Sequence, residues 1–133
     1  MTDEATGELA QRIESIEAGY EFMLAYAAQG HVREQDAGPG RSIRKYLQDM
    51  DGALDNLGKV SASAAKSRNP DSHHSYHDFL AALESDAVRA RGAIKLVLAQ
   101  ASISSQLIDN LNASIHLRAL LTDLFVLDEA LKS

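Results

Sequence analysis

Apolar residues recur along four stretches of the chain at alternating steps of four and three positions. The longest unbroken series lies in the third stretch and comprises Tyr76, Leu80, Leu83, Ala87, Ala90, Ile94, Val97 and Ala101. Such a heptad series puts its members on one face of an α-helix. Because a helix of this kind gains most of its stability by burying that face, the series needs partner helices. The pattern therefore predicts an all-α protein.

Breaks between the four series set the expected helix boundaries. Gly30 and the segment 37–40 follow the first series, and Asn69-Pro70 follows the second. The third break has no Gly or Pro; we place it near Ser102–Ser105, with one long kinked helix as the alternative. The expected helices are about residues 3–29, 42–66, 72–101 and 106–132. Four helices of matched length predict one domain, 1–133, folded as an antiparallel up-down-up-down four-helix bundle.

The fourth helix carries more apolar residues than one buried face of about 100° requires. The residues that suggest an interface are Leu117, Leu120, Leu121, Leu124 and Phe125. An apolar excess of this kind favours self-association, and the usual form is a two-fold homodimer. The alternative is that this helix sits deep in the monomer and that long charged side chains cover it.

Charge and composition narrow the class of protein. The net charge of −6 opposes a general contact with a phosphate backbone, so we expect no nucleic-acid partner. The chain has no Cys, which removes thiolate chemistry and Cys-ligated metals. It has no basic, apolar leader and no long apolar run, so we expect a cytoplasmic protein without membrane contact. We expect no cofactor.

A histidine cluster opens the third helix. His73 and His77 stand four positions apart and share a helical face, which is a workable spacing for two metal ligands. A third ligand would come from another element, for example Asp3 or Glu4. The alternative is a solvated first turn in which histidine is a polar filler.

A glycine-containing loop enters the second helix at Gly38–Lys45. The helix start offers backbone N–H groups, and Arg41, Ser42, Arg44 and Lys45 add donors or positive charge. His31 lies at the start of the same loop. Together these groups are suited to an anion or a small ligand. The alternative is a surface turn whose basic residues offset the acidic remainder.

The segment 68–76 contains Arg68 followed by His73 and His74, which gives the spacings Arg-x4-His and Arg-x5-His. This spacing resembles the Arg-x4–6-His element of the HEPN helical-bundle ribonucleases. The resemblance implies metal-independent RNA cleavage, in which Arg68 would steady a phosphate and His73 or His74 would move a proton.

A ferritin-like di-iron centre is excluded by the sequence. Such centres need inward-facing Glu residues and Glu-x-x-His motifs; this chain has no such motif, and its heptad positions hold no Glu or Asp. We therefore expect a non-enzymatic protein that acts through self-association or protein contact by helices three and four. The alternatives are a ligand, anion or metal-binding module at a loop end and, third, a HEPN-like ribonuclease.

Overall fold

The computed structural model of the chain describes residues 4–40 and 42–132, without the side chains of Ser72 and His73. These residues form six α-helices: α1 Glu4–Gln29, α2 Ile43–Leu54, α3 Leu57–Arg68, α4 His73–Leu98, α5 Ser105–Asn112 and α6 Ile115–Lys132. Short 3-10 segments lie at Glu34–Ala37 and Pro70–Ser72. No strand occurs within the described ranges, so the predicted all-α class is confirmed. The predicted helix start at Asp3 lies outside them.

The second predicted helix is divided into α2 and α3 at Asn56. This residue has the left-handed conformation, with φ 58° and ψ 24°. One left-handed residue stops a right-handed helix, and Asn adopts this conformation more readily than most residues. Leu54 and Leu57 flank the break and are both buried, so the heptad series continues across it. Because the spacing is unbroken, the periodicity gave no sign of the division.

The fourth predicted helix is also divided, since α5 ends at Asn112 and α6 begins at Ile115. The Ala113 N–H donates to the backbone carbonyl oxygen of Asp109, and the Ser114 N–H donates to that of Leu111. These two bonds end α5. The turn expected near residues 102–105 is present. The Ser104 side chain caps α5 there by accepting from the Leu107 N–H at 3.0 Å.

Two long helices organise the packing. α1 contacts α2, α3 and α5, whereas α4 contacts α2, α3 and α6. Members of the α4 series from Leu83 to Val97 are buried, while Tyr76 and Leu80 are half-buried and Ala101 lies beyond the helix end. Gly19 lets α1 approach α2 closely, because a Cβ there would overlap the Met50 side chain. Within the described residues, no helix is both long and apolar enough to cross a bilayer.

Candidate functional site

Arg44 of the predicted anion site is engaged inside the chain. Its guanidinium donates to both Glu34 carboxylate oxygens, at 3.1 and 2.7 Å, and to the carbonyl oxygens of Leu98 at 2.7 Å and Gln100 at 3.0 Å. The hydrogen bond from Arg44 lowers the pKa of Glu34, and Glu34 in turn raises the pKa of Arg44. This cluster ties the 3-10 segment of the first loop to the connection between α4 and α5.

Ser42 and Lys45 serve α2 itself. The Ser42 hydroxyl accepts from the backbone N–H groups of Arg44 at 3.1 Å and Lys45 at 3.4 Å, which makes it the N-cap of this helix. The Lys45 ammonium pairs with Asp49 at 3.0 Å on the exposed surface. The Lys45 ammonium therefore has a partner within α2, and the Ser42 hydroxyl already accepts from two of the backbone N–H groups that the helix start offered to an anion.

His31 belongs to the junction between α1 and α5. Its ring stacks at a tilt on Tyr26, with the centroids 5.3 Å apart, and its Nε2 lies 2.8 Å from Gln29 Oε1. Its backbone N–H donates to Ser105 Oγ at 2.8 Å, and its carbonyl oxygen accepts from the Ser105 N–H at 2.8 Å. Arg41 lies outside the described residues. The anion site stays a prediction, but its described side chains already hold other groups.

The His73–His77 turn offers no metal site that the described residues can form. Among them, no group of three or more His, Asp or Glu side chains is placed to hold an ion. His77 is exposed, and the side chain of His73 lies outside the description. Arg68 ends α3, so the 3-10 segment separates it from both histidines of the HEPN-like spacing. The metal and ribonuclease alternatives stay predictions.

Four of the five predicted interface residues lie in the core. Leu117, Leu120, Leu121 and Leu124 are buried within the chain, whereas Phe125 is 57% exposed. The prediction grouped these five residues as one interface, although the four leucines and Phe125 lie on different sides of α6. The four leucines are not available to a partner while the chain is folded.

A second apolar series runs along the outside of α6. The helix shows an outward face, here called the α6 outer face. Its apolar members are Ile115, Ala119, Phe125 and Val126, its polar members are Arg118, Thr122 and Glu129, and all but the half-buried Ala119 are exposed. At 3.6 residues per turn these positions fall within roughly 120° of arc. Ile115 is 74% exposed and Val126 is 52% exposed. The sequence carried this signal as a second series of steps of four and three, which the buried leucines obscured.

An open apolar groove of about 660 Å³ runs between α3 and α4. We call it the α3–α4 groove; its lining residues are Gly58, Lys59, Ala62, Ala65, Lys66, Pro70, Tyr76, His77, Leu80, Ala81 and Glu84. The small residues of α3 are visible in the sequence, but the groove is not, because its opposite wall is known only once α4 is in place.

Two carboxyl groups meet where α4 packs on α6. Burial, and then the neighbouring Asp86 carboxyl, raise the pKa of Asp123 to about 7. The Asp123 Oδ2 atom is buried and accepts no hydrogen bond within the described chain. Two ionised carboxylates have no proton to share, whereas a protonated Asp123 can donate to Asp86. The pair therefore favours one shared proton near neutral pH.

The chain matches no protein-family model, and neither a curated protein nor a solved structure is significantly similar to it. Its function is therefore inferred from burial, contacts and charge.

Proposed function

We propose that this chain is a non-enzymatic helical protein that works as a reversible homodimer joined through the α6 outer face. One observation carries the proposal: Ile115, Phe125 and Val126 are large, apolar and exposed on a single face of one helix. Single exposed apolar residues are ordinary on protein surfaces, but several large ones on the same face of one helix favour an association site. The cytoplasmic location expected from the sequence is part of this proposal.

The face is suited to pairing with itself in antiparallel orientation. A two-fold axis between positions 120 and 121 would set Ile115 against Val126 of the partner subunit and Ala119 against Thr122 of the partner subunit. Large residues then meet at both ends, and small ones allow close approach at the centre. The Thr122 hydroxyl donates to the Arg118 carbonyl at 3.0 Å, so it brings no unsatisfied polar group to the contact.

Charge supports the same orientation. On the α6 outer face, Arg118 lies in the first turns and Glu129 in the later turns, whereas Asp128 already pairs with Lys132 within the helix. An antiparallel pair brings the basic half of each helix near the acidic half of the other, and it also opposes the two helix dipoles favourably. A parallel pair would set like charges side by side.

The small size of the α6 outer face favours a weak dimer in equilibrium with its monomers. α6 has 18 residues and is therefore about 27 Å long. One pair of such helices buries less than a standard interface of about 1,600 Å². We therefore propose an equilibrium between monomer and dimer rather than a permanent assembly.

The proposal includes an antiparallel arrangement of four rods, in which α2 with α3 and α5 with α6 each count as one bent rod. Paired contacts in reversed chain order support it. The rings of Phe22 and Tyr46 stack at 4.2 Å, and Arg12, near the start of α1, donates to the Asp55 carbonyl at the end of α2. Arg91 of α4 likewise donates to Asp51 at 2.7 Å.

Sedimentation equilibrium tests the dimer. We expect the wild-type chain to move from 14.4 kDa towards twice that mass as its concentration rises, and we expect Ile115→Glu/Val126→Glu to stay monomeric. Buried glutamates facing each other would repel and would lose solvation, which costs far more than a weak contact supplies.

The matched control is Val88→Glu/Leu96→Glu. These residues are 62% and 66% exposed on α4, outside the proposed interface, and they give the same change in charge. This variant should dimerise as the wild type does. A wild-type chain that stays monomeric at all concentrations, or a control that dissociates as fully as the test variant, would refute the proposal.

A further inference from the structure

We propose that the α3–α4 groove binds an acidic amphipathic helix of another protein. This inference does not rest on the α6 dimer, because the groove and the α6 outer face share no residue. Four observations carry it: the two walls are held at a fixed spacing, the floor is small and apolar, two lysines on one rim form no ion pair with the described residues, and both walls are helices.

The walls of the groove are fixed at both ends. At one end, the Gly58 N–H donates to Glu84 Oε1 at 3.1 Å, and a Cβ on Gly58 would lie 2.9 Å from Glu84 Cβ. At the other end, Asn69 Nδ2 donates to the Tyr76 hydroxyl at 3.2 Å. The groove is therefore formed before any partner arrives, which lowers the entropy cost of binding.

The floor is apolar and shallow because small side chains line it. Ala62 and Ala81 are exposed on opposite walls, and Ala65 is buried beneath them. From Gly58 to Arg68, where α3 ends, the chain advances about 15 Å as a helix, which is nearly three turns. Large apolar side chains of a partner, repeating once per turn, would fill the space that these alanines leave.

Lys59 and Lys66 supply the specificity. They stand seven positions apart on the α3 rim, about 10.5 Å along the helix, and neither forms an ion pair within the described residues. Asp55, four positions before Lys59, pairs instead with Arg91 at 2.9 Å, because the left-handed Asn56 ends the helix between them. The Glu84 carboxylate is held by the Gly58 N–H. In a chain of net charge −6, this rim carries two positive charges that form no ion pair within the described residues, although the Glu84 carboxylate lines the opposite wall.

The bound segment must satisfy its own backbone N–H and C=O groups by internal hydrogen bonds. Both walls are α-helices, whose backbone N–H and C=O groups already bond along their own axis, so an extended peptide would find no ladder to join. A helix needs none, and it presents apolar residues once per turn. Carboxylates at positions i and i+7 beside that apolar strip would reach Lys59 and Lys66 together.

The test uses a designed peptide of about 18 residues, with Leu at i, i+4, i+7 and i+11 and Glu flanking that strip at positions seven apart. A second peptide carries Lys in place of those Glu residues. We expect fluorescence anisotropy to show at least a tenfold preference for the Glu peptide, and Lys59→Glu/Lys66→Glu should reverse it. Amide shifts on binding should centre on residues 58–66 and 76–84.

The matched control is Arg89→Glu/Lys95→Glu, which makes the same change of charge at exposed positions of α4 outside the groove and should keep the preference. Ala62→Tyr at the exposed floor should weaken binding of both peptides, and circular dichroism would verify that each variant folds. Equal affinity for the two peptides, or amide shifts centred on α6, would overturn the proposal. It would also fail if the Lys59/Lys66 variant altered self-association without peptide, because the occupant would then be a second copy.

Discussion

At the scale of a residue, Asp123 has the most unusual setting in the described chain. Its folded-state pKa of about 7 lies well above the ordinary value of 3.8, chiefly because of burial and then because of Asp86. The folded chain therefore holds a proton that the unfolded chain releases between these two values. This group makes the folded state more stable at low pH, and its contribution is lost as the pH rises towards 7.

Asp123→Asn should remove the loss of folding stability that the Asp123 carboxyl causes as the pH rises. We expect the variant to exceed the wild type by about 2 kcal/mol in free energy of unfolding at pH 8, and by much less at pH 5. The difference stays below the full linkage value because the carboxyl keeps some contact with water. Urea unfolding at both pH values measures it.

Asp86→Asn is the companion variant, because it removes only the like charge and should flatten the pH dependence in part. If the wild type and Asp123→Asn lose stability equally between pH 5 and pH 8, the two carboxyls do not share a proton.

Arg44 shows at the same scale why a local pattern does not reveal which donors of a predicted anion site are already engaged. A basic residue at a helix start is suited to an anion in any sequence. Here Glu34, ten positions earlier, and two carbonyl oxygens more than fifty positions later use its donors. No local pattern contains that information, because it depends on where the first loop crosses the end of α4.

At the scale of an element, the left-handed Asn56 decides how α2 and α3 meet. Asn56→Ala should lower the free energy of unfolding by about 1 kcal/mol, since a Cβ without a local hydrogen bond is strained at positive φ. Asn56→Gly should be close to neutral, because glycine adopts this conformation freely. Urea unfolding of the three proteins measures both effects.

Asn110→Ala is the control for Asn56, because it removes an exposed Asn from an ordinary helical position of α5. It should not reproduce the loss. An Asn56→Ala variant as stable as the wild type would mean that the helix break is not needed for the fold.

Element boundaries followed from the sequence where the chain itself breaks the helix. Asn69-Pro70 ends α3 because proline disfavours helical geometry in the residue before it. Asn56 and Ala113 end helices without interrupting the apolar spacing, so the periodicity passed over them. A helix boundary with no steric cause in its own residues is set by contacts with other helices.

At the scale of the whole molecule, the proposed dimer makes a prediction about distance. The chain has no Cys, so single cysteines can be introduced without interference. A mixture of Ile115→Cys and Val126→Cys chains should form the mixed disulfide in preference to either symmetric one. In the antiparallel register the unlike positions face each other, whereas like positions are about 16 Å apart, beyond disulfide reach.

Non-reducing electrophoresis of chains with different tags measures the three products. A statistical mixture, or an excess of the symmetric Ile115→Cys product, would contradict the antiparallel register. A dimer in sedimentation with that outcome would require another arrangement of the two subunits.

The sequence by itself determined the helical class and most of the core. The heptad positions of the second predicted helix are all buried, and so are the α4 members from Leu83 to Val97. Those positions are Ile43, Leu47, Met50, Leu54, Leu57, Ser61 and Ala64. These follow from composition and spacing, because a side chain's place around its own helix depends only on its position in the sequence.

Only the tertiary structure decided which side chains remain free for function. In the folded chain, four leucines of α6 lie in the core, whereas Ile115, Phe125 and Val126 lie at the surface. Asp55 forms an ion pair with Arg91, so it does not pair with Lys59, which lies four positions after it. The physical reason is that periodicity fixes directions within one helix, whereas the rotation and the breaks of neighbouring helices fix which of those directions are covered.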